Sequence, residues 1–318
     1  MELNINVPLT PDRTALHSIS DDEAVQLVDE RFGSATEWSS PIISYRLSSD
    51  FQRHWKAEIG HWLATAQRHD YDDRLVEKVL SRARKGKHKL RATRDLDDPL
   101  YRFMLGELLP AMFAHFMLNT GWGYRLWDSP DGRGGDVDVG LLAPTNGEPV
   151  DVQIKAPGDE NPFEALTNAA RQLATSTNRT LVGVCSRGGI PLAYDPDELL
   201  ASLLGTTTNM HGAVRLTRTG AFATAEWNTI GGVAFLNYLP GWETQSYACT
   251  VVFNPWARPS ARLEGDWFRG ARRLELHAAT FRWIPNAPSG SFYFPNGTGI
   301  GELAPNSPVS SNDGRAPS

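Results

Sequence analysis

The residues of this chain best suited to chemistry fall on one short stretch, Val150-Asp151-Val152-Gln153-Ile154-Lys155. In an extended strand alternate side chains leave on opposite faces. Asp151, Gln153 and Lys155 therefore share one face, and Val150, Val152 and Ile154 the other. An upstream stretch repeats the pattern, with Val137, Val139 and Leu141 apolar and Asp136 and Asp138 polar. Paired as a hairpin with matching faces, the two would set a pair of acids beside an Asp-Gln-Lys row. Carboxylate and amide oxygens would then lie next to an ammonium. An ordinary solvated sheet face alternates in the same way, so periodicity alone does not assign a function.

Three further details single this cluster out. The chain uses arginine heavily and lysine sparingly: Lys155 is its last lysine, preceded only by Lys56, Lys78, Lys85, Lys87 and Lys89. A compact ammonium differs chemically from a guanidinium, so a lone lysine within an apolar strand looks selected. Gly134-Gly135 leads into the acids, and glycines let a backbone approach a ligand closely. Upstream, Glu107 has Leu100, Phe103, Met104 and Ala111 at helical spacings around it. A carboxylate on an apolar stripe must pair, bind metal or stay protonated.

The elements that would position these groups can be read from period and punctuation. Ser20-Asp21-Asp22-Glu23 is a capping-box pattern ahead of Ala24, Leu27 and Val28. Helices are expected over 50–67 and 71–84. The second runs into a basic segment of Arg82, Arg84, Lys85, Lys87, Lys89, Arg91 and Arg94, readable as a solvated helix end or as a phosphate-contacting strip. A long helix is expected over 98–119, with Pro99 in its first turn, a kink at Pro110 and Gly121 at its end. Strands follow at 124–127, 137–142 and 150–156, then a helix at 163–176, a strand at 180–185 and a helix at 195–204. Strands are also expected at 213–216, 232–239, 248–253 and 272–283, before a tail rich in Pro, Gly, Ser and Asn. The expected organisation is an α/β chain with an N-terminal helical region 1–95, a core 96–205, a β-rich region 206–286 and a disordered tail 287–318.

The bulk numbers set outer limits. A chain of 318 residues, 41% hydrophobic and 21% charged, is ordinary for a globular protein of one decorated core or two domains. Its net charge of -6 argues against a protein that coats nucleic acid non-specifically. It does not argue against a local basic channel. One such surface is suggested between Met210 and Pro285, where eight arginines face five acids, a net of +3. Three Arg-aromatic groupings lie there, around Trp256, Trp267 and Phe281, and would suit stacked bases or simple sheet packing equally. Residues 1–13 carry no basic start followed by an apolar run, and Cys185 and Cys249 form no pair motif. A reducing, cytoplasmic setting without a disulfide framework, zinc-thiolate site or membrane span is expected.

The order helix, three-stranded meander, helix, strand, together with an acid at 138 and Gln153-Ile154-Lys155 after fourteen intervening residues, resembles the PD-(D/E)xK nuclease superfamily. The Gln-x-Lys form is similar to that of Mrr-type restriction enzymes and departs from the commoner Glu-x-Lys or Asp-x-Lys. The resemblance covers residues 98–185. It implies a restriction-endonuclease-like core and Mg²⁺-dependent phosphodiester hydrolysis, with Mn²⁺ as a substitute. The substrate would be DNA before RNA and the mode endonucleolytic, in restriction, defence or repair. A homodimer is compatible with it. Asp138, Gln153, the Ile154 carbonyl and Glu107 would hold the metal, and Lys155 would position the attacking water and offset transition-state charge. Asp136 and Asp151 would contribute at second rank, compensating for the charge that Gln153 lacks.

The alternatives are a nuclease fold that has lost catalysis and binds nucleic acid or a protein partner, and a protein with no nucleic-acid role. Other signals carry less. Gly183 to Gly188 does not form a nucleophile elbow. His54, His61 and His69 lack metal-ligand spacing and read as surface or packing histidines, and His115 as a hydrogen-bonded core histidine. No phosphate loop or dinucleotide fingerprint occurs, so no nucleotide cofactor is expected.

Overall fold

Ser20 and Glu23 open the first helix by satisfying each other. The Glu23 carboxylate accepts from the Ser20 amide at 2.8 Å, and the Glu23 amide donates to Ser20 Oγ at 3.3 Å. These contacts hold the Glu23 carboxyl below the usual range. In the computed structural model, residues 17–32, 50–90, 99–128, 137–155, 162–186, 202–210, 213–239, 246–268, 271–277, 280–284 and 308–309 are described. By contacts the chain divides after Asn119 into a helical unit, Asp12–Asn119, and an α/β unit from Thr120 onward. The expected core 96–205 therefore spans parts of both. Among the described residues no helix is long and apolar enough to cross a membrane.

The helical unit contains α1 (Asp21–Phe32), α2 (Asp50–Arg68), α3 (Asp72–Leu90) and α4 (Pro99–Asn119). Ala24, Val28 and Phe32 recur at helical spacing and are buried. At α1 and α2 the backbones meet: a Cβ on Gly60 would lie 2.0 Å from the Ala24 carbonyl oxygen, so only glycine fits there. The exposed ion pair Arg53–Asp22 and the partly buried pair Lys56–Asp29 lie along the same two helices. In α3 the helix continues to Leu90, beyond the expected end, because the basic run consists of good helix formers. The side chains of that run fall outside the described residues. In α4 the helix passes through Pro110, and the apolar residues between Leu108 and Met117 are buried.

The α/β unit is built on a mixed sheet. Its strands are β1 (Gly123–Trp127), β2 (Val139–Leu142), β3 (Pro149–Lys155), β4 (Arg179–Ser186), β7 (Gly232–Leu239), β8 (Ser246–Phe253), β9 (Ala271–His277), β10 (Thr280–Ile284) and β11 (Pro308–Val309). They lie in the order β1-β2-β3-β4-β7-β8-β9-β10-β11. A separate hairpin pairs β5 (Gly205–Met210) with β6 (Ala213–Thr219). The first three strands form an antiparallel meander, and α5 (Pro162–Leu173) returns the chain so that β4 lies parallel to β3. The segment expected as a separate β-rich region continues the same sheet, since β7 pairs directly with β4. The stretch expected as one strand, 272–283, is a hairpin of β9 and β10. Within the expected tail, Pro308–Val309 pairs with β10. Of the expected helix 195–204, only its last residues are described.

One core explains the arrangement. Leu166, Ala169, Ala170 and Leu173 of α5 pack with Val182 and Val184 of β4, Val233 and Phe235 of β7, Val252 of β8, and Phe222 and Trp227. At the opposite end of the meander, Trp267 donates to Thr145 Oγ1 at 2.9 Å while Arg179 lies over its ring, 5.2 Å from the centroid. Trp267 and Phe268 are thus part of the interior and are not base-stacking surfaces. The exposed large aromatic among the described residues is Trp256, at 47%.

Candidate functional site

Strand β3 is the interior strand that carries Asp151, Gln153 and Lys155. It is buried from Val150 to Ile154, with β2 and β4 paired along its two edges and α5 against the face of Gln153 and Lys155. Asp151 and Gln153, at 5% and 4% exposure, therefore do not decorate a solvated sheet. In the parallel register Gln153 stands beside Val182 and Lys155 beside Val184, on the face that α5 covers.

Asp138 immediately precedes β2. The expected strand 137–142 begins two residues late, yet the ladder reaches Asp138: its amide donates to the Val152 carbonyl, and its carbonyl accepts from the Asp128 amide, both at 3.0 Å. Asp128 takes a left-handed φ of 45° there, at the end of β1. With its backbone pinned on both sides, Asp138 directs Oδ2 at β3. It accepts from Gln153 Nε2 and from the Ile154 amide, each at 2.7 Å. Those short bonds fix the Gln153 amide orientation, because the reversed amide would set oxygen against carboxylate. Gln153 Oε1 is then buried with no hydrogen-bond partner among the described residues. Leaving such an oxygen unsatisfied costs about 1–3 kcal/mol. In a strand a residue's N–H and C=O leave on the same side, so the Ile154 carbonyl points to the side of Asp138.

Lys155 is half-buried, and its Nζ donates to Gln172 Oε1 of α5 at 2.6 Å. Asp151 shares the strand face but has its own partners. Arg125 of β1 holds Oδ1, while Ser176 Oγ at 2.6 Å and Asn178 Nδ2 at 3.1 Å hold Oδ2. Gly140 makes the Arg125 contact available, since a Cβ there would lie 2.6 Å from the guanidinium. Of the remaining expected residues, Asp136 lies outside the described residues. Glu107 belongs to α4 in the helical unit, and its side chain lies outside the described part.

The structure therefore brings Asp138, Gln153 and the Ile154 amide into direct contact, and places Lys155 on the same strand face as Gln153. It adds Gln172, Arg125, Ser176 and Asn178, which sequence reasoning did not single out. The donor set of carboxylate, amide oxygen and main-chain carbonyl is hard and oxygen-rich, as Mg²⁺ requires, and the unpartnered Gln153 Oε1 fits that use. Behind it, burial raises the Cys185 thiol pKa well above its ordinary value, followed by smaller effects of Cys249 and the Asp138 charge. Compared with protein-family models, curated proteins and solved structures, the chain matches none.

Proposed function

We propose that the chain is a metal-dependent nuclease with a restriction-endonuclease-like core, hydrolysing phosphodiester bonds in DNA before RNA. The observation that carries this reading is the buried Gln153 oxygen beside Asp138, without a partner among the described residues, two residues before the sole lysine of that strand. The chain order of α4, meander, α5 and β4 supports it. So does the burial of the polar face, which leaves little reason for a lysine and an amide there except a specific task.

Asp138, Gln153 Oε1 and the Ile154 carbonyl would hold the ion. When bound, Mg²⁺ or Mn²⁺ would supply Lewis-acid polarisation of a phosphoryl oxygen and a more acidic water. Lys155 donates to the attacking water and offsets charge developing on the phosphorus oxygens. Gln172 is a positioning residue that restrains the Lys155 ammonium. Asp151, already engaged by three donors, secures β1 and the turn after α5 to β3 instead of meeting the ion.

The test is cleavage of supercoiled plasmid DNA in Mg²⁺. Lys155→Ala and Asp138→Ala are expected to lower the rate by about 100-fold or more with the fold retained. Glu107→Ala in the same assay tests the expectation attached to α4. One observation favours a second reading, a non-catalytic nucleic-acid-binding module: the Gln153 amide tethers Asp138 with no ion needed. Equal DNA binding with and without metal, and no cleavage, would establish that reading. Absence of any salt-sensitive DNA binding would remove both.

A further inference from the structure

The helical unit contains a second cluster of ligand-type side chains, unrelated to β3. His17 precedes α1, Asp21 opens it, and Glu58 and His61 lie on α2. The His17 and His61 rings are stacked, with centroids 3.6 Å apart and planes 13° from parallel. His61 Nε2 is 2.9 Å from Asp21 Oδ1, and His17 Nε2 is 3.7 Å from Glu58 Oε1. One ligand atom from each of His17, Asp21 and His61 lies within 4.8 Å of the others. Ligands about 2.0–2.1 Å from a tetrahedral ion stand about 3.3 Å apart, a value these separations bracket, and the two parallel rings would tilt to aim both lone pairs at one ion.

Three of the four side chains are buried, and Asp21, at 44% exposure, opens the cluster to solvent. The side chains of His17, Glu58 and His61 are 8%, 0% and 1% exposed. His61 Nδ1 is buried with no hydrogen-bond partner among the described residues. Behind them His115, itself buried, is held by Thr65 Oγ1 at 2.7 Å and backs the His17 ring at 5.7 Å. Two imidazoles beside two carboxylates form a mixed nitrogen-oxygen set that suits a first-row transition ion better than Mg²⁺.

We propose that His17, Asp21 and His61, with Glu58 adjoining, bind one divalent transition-metal ion of the zinc class. The ion clamps the segment before α1, and the first turn of α1, onto α2. The close Gly60–Ala24 approach one residue from His61 sets the two helices at the distance the clamp requires.

The experiment uses the full chain, freed of metal with a chelator and titrated with Co²⁺, then Zn²⁺. The expected result is one equivalent of Co²⁺ giving visible ligand-field absorption, displaced by Zn²⁺, with a rise in Tm. His17→Gln and Asp21→Asn are expected to weaken binding at least 10-fold while circular dichroism stays helical. Asp138→Asn is expected to leave it unchanged. His17→Gln decides the matter alone should Asp21→Asn fail to fold, because His17 lies outside any helix. Absence of Zn²⁺-displaceable Co²⁺ absorption overturns the proposal, as does such absorption that survives His17→Gln or disappears with Asp138→Asn. The last outcome would place the ion at β3, so failure here is separable from failure of the nuclease reading.

Discussion

At the scale of single residues, an amide where a carboxylate is commoner is the most consequential choice. Gln153 donates to Asp138, a bond that a carboxylate at the same position could not make. Gln153→Glu is therefore expected to cost about 1–2 kcal/mol in metal-free protein, through the lost hydrogen bond and carboxylate repulsion. Millimolar Mg²⁺ should restore that loss, and cleavage should then require less Mg²⁺ than in the wild type. Urea denaturation with and without Mg²⁺ checks both; a loss that Mg²⁺ does not restore would count against an ion at Asp138. For Asp151 the expectation is structural. Its removal strands the Arg125 guanidinium and frees Ser176 and Asn178, so Asp151→Ala should lower stability by about 3 kcal/mol in the same denaturation experiment. The acids and the lysine are legible in the sequence because a period of two exposes them. Their partners are not. Gln172 is 17 residues from Lys155 and Arg125 is 26 from Asp151, and no local pattern announces a contact made through folding.

At the scale of elements, what is legible follows from local chemistry. The capping box places α1, and hydrophobic period places α2, α4, the meander, α5 and β4 to within a few residues. What is not legible depends on neighbours. Alternation in β3 suggests one wet face, and α5 covers that polar face, so the strand is buried throughout from Val150 to Ile154. The β9–β10 hairpin reads as one strand because Ala278-Ala279 offers none of the usual turn residues. The Thr-rich β5 shows no alternation of apolar and polar residues and does not read as a strand at all. His61 reads as a packing residue because its companion, His17, comes from a different element. The tight α1–α2 crossing makes a direct prediction. Gly60→Ala drives a methyl into the Ala24 backbone, which cannot yield as a side-chain tip can. A loss of about 2 kcal/mol is expected, read as a lower Tm of the full chain.

At the scale of the whole chain, charge and thiols give the clearest expectations. Net charge of -6 with a locally basic C-terminal stretch means that any nucleic-acid affinity must be local and steeply dependent on salt. Cys185 and Cys249 form no disulfide, are fully buried and have raised pKa values through burial. Neither should react with a thiol reagent in the native state, and both should react once the protein is denatured. Labelling of either cysteine in the folded protein would show that the centre of the sheet opens locally.

The position of β3, hydrogen-bonded to a strand on each side, has a kinetic consequence. Its amides donate alternately to the two sides, the Ile154 amide to the Asp138 carboxylate, and all lie in the sheet interior, so Val152 to Ile154 should be among the slowest-exchanging positions of the chain. The groups that would meet a scissile phosphate thus sit on the segment that breathes least. They would persist through fluctuations that unravel the periphery and be lost only when the sheet itself dissolves.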